Sequence, residues 1–166
     1  PEIALTTQLI GRLQEYFGEK VSVYHSKYNV QERVEVWNNI VSQKPKAQIV
    51  IGARSSLFLP FSNLGLIIVD EEHESSFKQF DPAPRYHARD AAIVLSKLHN
   101  ANILLGSATP SIESFQNART GKYGYANIAR RYGNVLMPDM EIVDIKEQSR
   151  KRRMKGHFSE RLLEEI

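Results

Sequence analysis

The chain contains no cysteine in its 166 residues, so neither a disulfide framework nor a thiolate zinc site can form within them. No apolar run approaches the roughly 20 residues that a membrane-spanning helix needs, and no signal-peptide pattern is visible. Also lacking is any Gly-x-x-x-x-Gly-Lys-Ser/Thr sequence, the loop whose backbone amides cradle nucleotide phosphates. Internal repeats and low-complexity stretches are absent as well. What remains is 42% hydrophobic and 25% charged, the composition of a water-soluble globular domain with a substantial core. A net charge of +3 permits nucleic-acid binding without demanding it.

The most informative residues present are Asp70-Glu71-Glu72-His73, which follow the short apolar run Leu66-Ile67-Ile68-Val69. That run reads as a buried parallel strand. Ligands of open α/β sheets bind at the carboxyl ends of strands, and carboxylates delivered there can hold Mg²⁺ and orient an attacking water. The plain alternative is a solvated acidic turn after a core strand. A second apolar run, Ile103-Leu104-Leu105, ends in Gly106-Ser107-Ala108-Thr109-Pro110-Ser111. Small hydroxyls at one strand end can bond carboxylates at the next. They also cap helices, and Thr109 or Ser111 is expected to cap the segment that follows.

Periodicity predicts a helix over 5–17 closed by Gly18, a strand over 21–25, and a helix over 30–41 burying Val34, Trp37, Ile40 and Val41. Further on it predicts strands over 48–52, 66–69 and 102–105, and helices over 88–98 and 110–118. Two more strands are expected over 125–128 and 140–144, with Ser159 capping a last helix. Trp37, Phe58, Phe61 and Leu64 read as core. Residues 76–85, with two prolines, read as loop. The run Arg150-Lys151-Arg152-Arg153 with Lys155 reads as a solvated, mobile loop, with phosphate contact as the alternative. Alternating strands and helices argue for a mostly parallel sheet with helices on both faces.

Five segments together resemble the PriA family of primosomal replication-restart helicases, within superfamily 2. Pro1 to Gln8 is similar to motif Ia and Ile51 to Phe61 to motif Ib. Asp70-Glu71-Glu72-His73 matches the DEEH form of motif II, Pro84 to Asp90 the segment after it, and Leu105 to Ser111 motif III. Lys44-Pro45-Lys46, Thr7, Ala53 and Phe77 depart from the family pattern, none of them in motif II or III.

The resemblance implies a RecA-like P-loop NTPase lobe lacking its N-terminal P-loop strand, with lobe 1 over 1–158 and the start of a connection to lobe 2 over 159–166. It implies ATP as substrate and Mg²⁺ held by Asp70 through water, with zinc in the parent protein outside this chain. Glu71 would polarise the attacking water, Glu72 would orient neighbours, and His73 would link the nucleotide site to Ser107, Ala108 and Thr109. Arg54 and Ser55 would contact a DNA backbone, as would Thr6 and Gln8 at the start of the first helix. Each of these also has a plain reading, as an ion-paired Arg or a cap. Phe77, Phe80, Arg85, Tyr86, His87 and Arg89 mix aromatics with basic residues, a composition suited to single-stranded DNA. It equally suits a loop anchored to the core.

The parent is then expected to be an ATP-dependent 3′-to-5′ DNA helicase that restarts stalled forks. Its partners would be forked and single-stranded DNA, the primosome and single-strand-binding proteins, in the bacterial cytoplasm at the nucleoid. The alternatives are a lobe that binds DNA or protein without hydrolysis, or another superfamily 2 translocase. With no phosphate-cradling loop in residues 1–166, this segment alone is expected to release no phosphate from ATP, with or without DNA. DNA-stimulated release in a steady-state assay would refute that expectation.

Overall fold

The computed structural model of the chain describes residues 3–25, 28–130, 133 and 138–166, with side chains from residue 7 onward. Contacts divide the chain into two units, Pro1–Gly124 and Tyr125–Ile166.

In the first unit, helix α1 covers Ile3–Phe17 and Gly18 closes it at φ 57°, the left-handed conformation a glycine adopts without strain. Strand β1 (Val21–Tyr24) leads to helix α2 (Val30–Val41) and strand β2 (Ile49–Gly52). Asn29 starts α2 through a capping box: its side chain accepts from Glu32 N, and the Glu32 carboxylate accepts from Asn29 N. Strands β1 and β2 pair in parallel from Val21↔Ile49 to Tyr24↔Gly52. The second βαβ unit repeats the plan, with β3 (Leu66–Val69), α3 (Ala88–Leu98) and β4 (Asn102–Leu105). Its strands run parallel from Leu66↔Asn102 to Val69↔Leu105. Helix α4 (Ile112–Arg119) follows, capped by the Ser111 hydroxyl.

The α/β alternation and the parallel pairing agree with expectation. The strands form two parallel ladders, and no ladder joins β2 to β3 among the described residues. Val36, Ile40 and Leu59 form one core cluster, with Tyr24, Ala47, Val50 and Phe61 packed against it. Ala88 and Ala92 are buried on α3, where small side chains allow close approach.

Three packing expectations need correction. Helix α2 buries Val36, Asn39 and Ile40, while Val34, Trp37 and Val41 stay exposed, because a polar Asn occupies the buried stripe. Strand β3 is not buried on both faces: Leu66 and Ile68 are exposed and Val69 is buried, the alternation of a strand covered on one side. Phe58 is exposed and packs edge-on against Tyr86, with ring centroids 4.9 Å apart.

The second unit holds helix α5 (Ile145–Arg150), strands β5 (Met154–Lys155) and β6 (Phe158–Ser159), and helix α6 (Glu160–Glu164). Asp144 caps α5 and Ser159 caps α6, the latter as expected. The strands expected over 125–128 and 140–144 do not form. Tyr125, Ile128, Met140 and Ile142 stand exposed with no neighbouring strand to pair with among the described residues, and apolar alternation alone does not make a ladder. The basic run is exposed, as expected, and spans the end of α5, the turn after it and the end of β5.

Candidate functional site

The ends of β3 and β4 are stitched together past their last paired residues. Gly106 N donates to Val69 O (2.9 Å) and Glu72 N donates to Gly106 O (3.0 Å). The polar residues that terminate each strand are therefore held side by side. Asp70 accepts from Glu71 N at 3.1 Å, and Glu71 takes φ 49°, a left-handed conformation uncommon for a residue with a Cβ. That turn separates the three acids: the Asp70 and Glu71 side chains face solvent, while Glu72 is 1% exposed. Glu72 is thereby turned away from its two acidic neighbours.

His73 bridges the two strand ends. Its Nδ1 is 2.7 Å from Ser107 Oγ and its Nε2 is 3.4 Å from Thr109 Oγ1. Thr109 N donates to Ser107 Oγ at 3.0 Å. Ser107 Oγ can still exchange a hydrogen bond with Nδ1 while it accepts from Thr109, since a hydroxyl both donates and accepts. Glu71 Oε2 lies 3.5 Å from Nδ1 and Glu74 Oε1 lies 4.0 Å from Nε2. The imidazole therefore sits between the exposed acid and the hydroxyls of the second strand end, and Ala108 lies exposed between those hydroxyls.

Glu72 anchors a network that sequence reasoning missed. Its carboxylate accepts from Ser111 N (2.6 Å), Ser114 Oγ (2.8 Å), Ser111 Oγ (3.0 Å) and Arg89 Nη1 (3.0 Å). Arg89 also donates to Ser111 Oγ at 2.7 Å and to Asp90 Oδ1 at 3.0 Å. Burial alone would push the Glu72 carboxyl up. The Ser111 amide, the Ser114 hydroxyl, the Arg89 guanidinium and the Ser111 hydroxyl outweigh it and hold the acid below the ordinary carboxylate value. Burial likewise opposes the Arg89 charge, but Asp90 and Glu72 raise that group above its ordinary value. The clue available in the sequence was the Ser111…Ser114 spacing at the end of motif III, which reads as a cap and here also clamps an acid.

The remaining predicted residues separate into two groups. Arg89, expected on DNA, is an internal counter-ion with its side chain 12% exposed. Arg54 is half-buried and donates from Nη1 to Lys78 O (2.7 Å), which ties the end of β2 to the loop before α3. That loop is closed by Lys78 Nζ to Arg85 O (2.6 Å) and Gln79 N to Tyr86 O (2.9 Å). Ser55, Phe80 and Arg85 are exposed; Phe77, Tyr86 and His87 are half-buried. His87 Nδ1 is buried with no hydrogen-bond partner among the described residues. Gly52 has a local reason: a Cβ there would lie 2.4 Å from Ser56 Cβ.

Helix α1 begins at Ile3, two residues earlier than expected. Gln8 therefore sits in the second turn, where the backbone amides already bond carbonyls of the preceding turn, and cannot act as a helix N-terminus. The Thr6 side chain lies outside the described residues, as do Pro1 and Glu2 of the same motif. A cleft of about 510 Å³ between α1, β1 and α2 contains none of the predicted site residues.

No group of three or more His, Cys, Asp or Glu side chains suited to a metal occurs among the described residues. The donor set fits hydrated Mg²⁺ nonetheless. That ion keeps most of its waters and needs one or two carboxylates, and Asp70 and Glu71 present hard oxygens at a strand end.

A parallel βαβ pair that aligns two acids, an imidazole and two hydroxyls at adjacent strand ends defines a class of protein. Residues 1–118 match the DEAD/DEAH box helicase family, and the chain belongs to that family. Its domain is a RecA-like lobe, in agreement with the expected fold. The chain is 41% identical over its whole length to the replication restart protein PriA of Bacillus subtilis (strain 168). It is 45% identical over its whole length to that of Rickettsia felis. With the Haemophilus influenzae protein it shares 46% identity over 149 residues, 90% of this chain. It spans only 20% to 25% of the length of these curated relatives. No described helix is long and apolar enough to cross a membrane.

Proposed function

We propose that the chain is part of the first motor lobe of an ATP-dependent DNA helicase that restarts stalled replication forks, unwinding in the 3′-to-5′ direction. In this reading residues 1–158 belong to the lobe and 159–166 begin the connection to a second lobe. The observation that carries it is the joined strand end, where His73 lies between Glu71 and the hydroxyls of Ser107 and Thr109. Kinship with the PriA proteins of three bacteria supports the biological setting. Forked and single-stranded DNA, the primosome and single-strand-binding proteins are the partners this reading proposes, at the nucleoid in the cytoplasm. Zinc would be held elsewhere in the parent protein.

Mg²⁺, when bound, would neutralise charge on the phosphates of ATP, with Asp70 holding it through water. Glu71 orients and polarises the attacking water. His73 hydrogen-bonds Ser107 and Thr109 and lies 3.5 Å from the Glu71 carboxylate, so a change in the charge near Glu71 alters its bonds to the two hydroxyls. Glu72 does not face the nucleotide; it fixes the turn. Arg54, Ser55, Arg85 and Tyr86 offer a guanidinium, a hydroxyl, a second cation and an aromatic ring on neighbouring loops, the components of a single-strand track.

The full-length protein tests this directly. ATP hydrolysis should rise when single-stranded or forked DNA is added, and a forked duplex should be separated only when ATP is present. DNA binding with no ATP hydrolysis would overturn the motor reading in favour of a binding lobe. Coupling has its own test. Replacing Ser107 and Thr109 together with Ala removes both hydroxyl partners of His73, while Ile103 to Leu105 still supply the strand. The double variant should fold, bind DNA and hydrolyse ATP, yet separate strands at least several-fold more slowly. Equal loss of hydrolysis and unwinding, or loss of neither, would contradict the coupling role.

A further inference from the structure

The second unit builds its basic run into a fixed corner. Arg152 N donates to Ser149 O and Arg153 N to Gln148 O, the paired bonds of a Schellman end to α5. The residue that must turn left-handed in that motif is Arg152, at φ 56°, where glycine is the favoured choice. Strand β5 starts two residues later and pairs with β6 through Met154↔Ser159 and Lys155↔Phe158. Directly opposed residues of an antiparallel pair share a face, and the next pair takes the other. Met154 and Ser159 take the covered side, with Ser159 6% exposed and its hydroxyl capping α6. Lys155 and Phe158 are therefore left together on the open side, where Phe158 is 54% exposed. Burying a serine and exposing a phenylalanine reverses the usual order.

Five acids of this unit are occupied elsewhere. Glu147 pairs with Lys151, and Glu141, Glu164 and Glu165 pair with Arg161. Asp144 caps α5. Arg153 lines one cleft together with Glu141, Asp144, Glu147 and Glu160. Arg150, Arg152 and Lys155 have no acidic partner among the described residues, and all three are exposed. Attraction between cations and a helix C-terminus accounts for Arg150 and Arg152. It does not account for Lys155, nor for the exposed ring across from it.

We propose that this corner is a nucleic-acid contact, in which Arg150, Arg152 and Lys155 lie along the phosphates of a single strand and Phe158 stacks on a base. Cations that follow a backbone beside an exposed aromatic are the components of sequence-tolerant single-strand binding. The inference rests on the helicase reading above and adds a contact in the second unit.

The test is the salt dependence of binding by the full-length protein to a fluorescent single-stranded oligonucleotide. Arg152→Gly is a useful variant because it removes the charge while placing the favoured residue at the left-handed position, so folding is not the cause of a loss. Combined with Lys155→Gln, it should weaken binding and lower the slope of log K against log salt by about 1.4, or 0.7 for each phosphate released. Phe158→Ala should weaken binding by about fivefold or more at every salt concentration and leave the slope unchanged, as lost stacking does. An unchanged slope in the double variant, at unaltered thermal stability, would mean the cations are merely solvated and overturn the proposal. A loss confined to duplex DNA would overturn the single-strand assignment. Failure of the unsubstituted protein to bind DNA would instead remove the helicase reading beneath it.

Discussion

Glu71→Gln in the full-length protein should slow ATP hydrolysis by about 100-fold or more, the range seen when a general base is lost. Nucleotide affinity should be nearly retained. Gln keeps the length and hydrogen-bonding reach of Glu but not the charge that orients water. Glu71 is the acid at this strand end placed for such work: its side chain faces solvent, whereas Glu72 is committed to Arg89 and two serines. The left-handed φ of 49° at Glu71 supports the assignment. Strained backbone persists where surrounding structure holds it, here through Glu72 N on Gly106 O and Glu74 N on Glu71 O. Single-turnover hydrolysis and equilibrium nucleotide binding, measured side by side, separate the two effects. Wild-type hydrolysis by Glu71→Gln would mean that another group activates the water. A fall in binding equal to the fall in rate would place Glu71 on the ground-state nucleotide instead.

Much of the scaffold was legible because its elements are short, apolar and sharply punctuated. Helices α2 and α3 and strands β3 and β4 begin and end where pattern and caps place them. The proximity of motifs II and III follows from that: two four-residue strands in a βαβ unit bring their polar tails together once they pair in register. What pattern could not supply was the direction of individual side chains. Asn39 is buried on α2 while Trp37 is not, so a rule that counts only apolar residues rotates the helix face wrongly. The same limit applies to the acids. Nothing in Asp-Glu-Glu tells which carboxylate turns inward, because that depends on the φ of Glu71 and on serines 39 and 42 residues further along. Arg89 opens helix α3 directly after a loop rich in basic and aromatic residues, and composition alone groups it with them. Its partner is decided by tertiary packing, and a long-range ion pair leaves no local signature.

That ion pair leads to the largest stability effect expected in the molecule. Glu72→Ala should destabilise the lobe by about 3 kcal/mol or more, because breaking a buried pair leaves a charge uncompensated. Arg89 would keep Asp90 as its one acidic partner, beside the Ser111 hydroxyl, and the Ser111 amide and Ser114 hydroxyl would lose their acceptor. For a domain of this size the loss should lower the melting temperature by roughly 10 °C, at about 2–4 °C for each kcal/mol. Its pH dependence is a stricter check. Glu72 is held below its ordinary value in the folded state, so its contribution is fully present above about pH 4.5, the unfolded value. The contribution fades as pH falls from there through the depressed folded value. The gap in melting temperature between wild type and Glu72→Ala should therefore be wide at neutral pH and narrow in acid. Arg89→Met in the same background should recover part of the loss, since it removes the orphaned cation. Additive losses in the double variant, or a gap that does not narrow in acid, would show that Glu72 acts by filling space rather than by balancing Arg89.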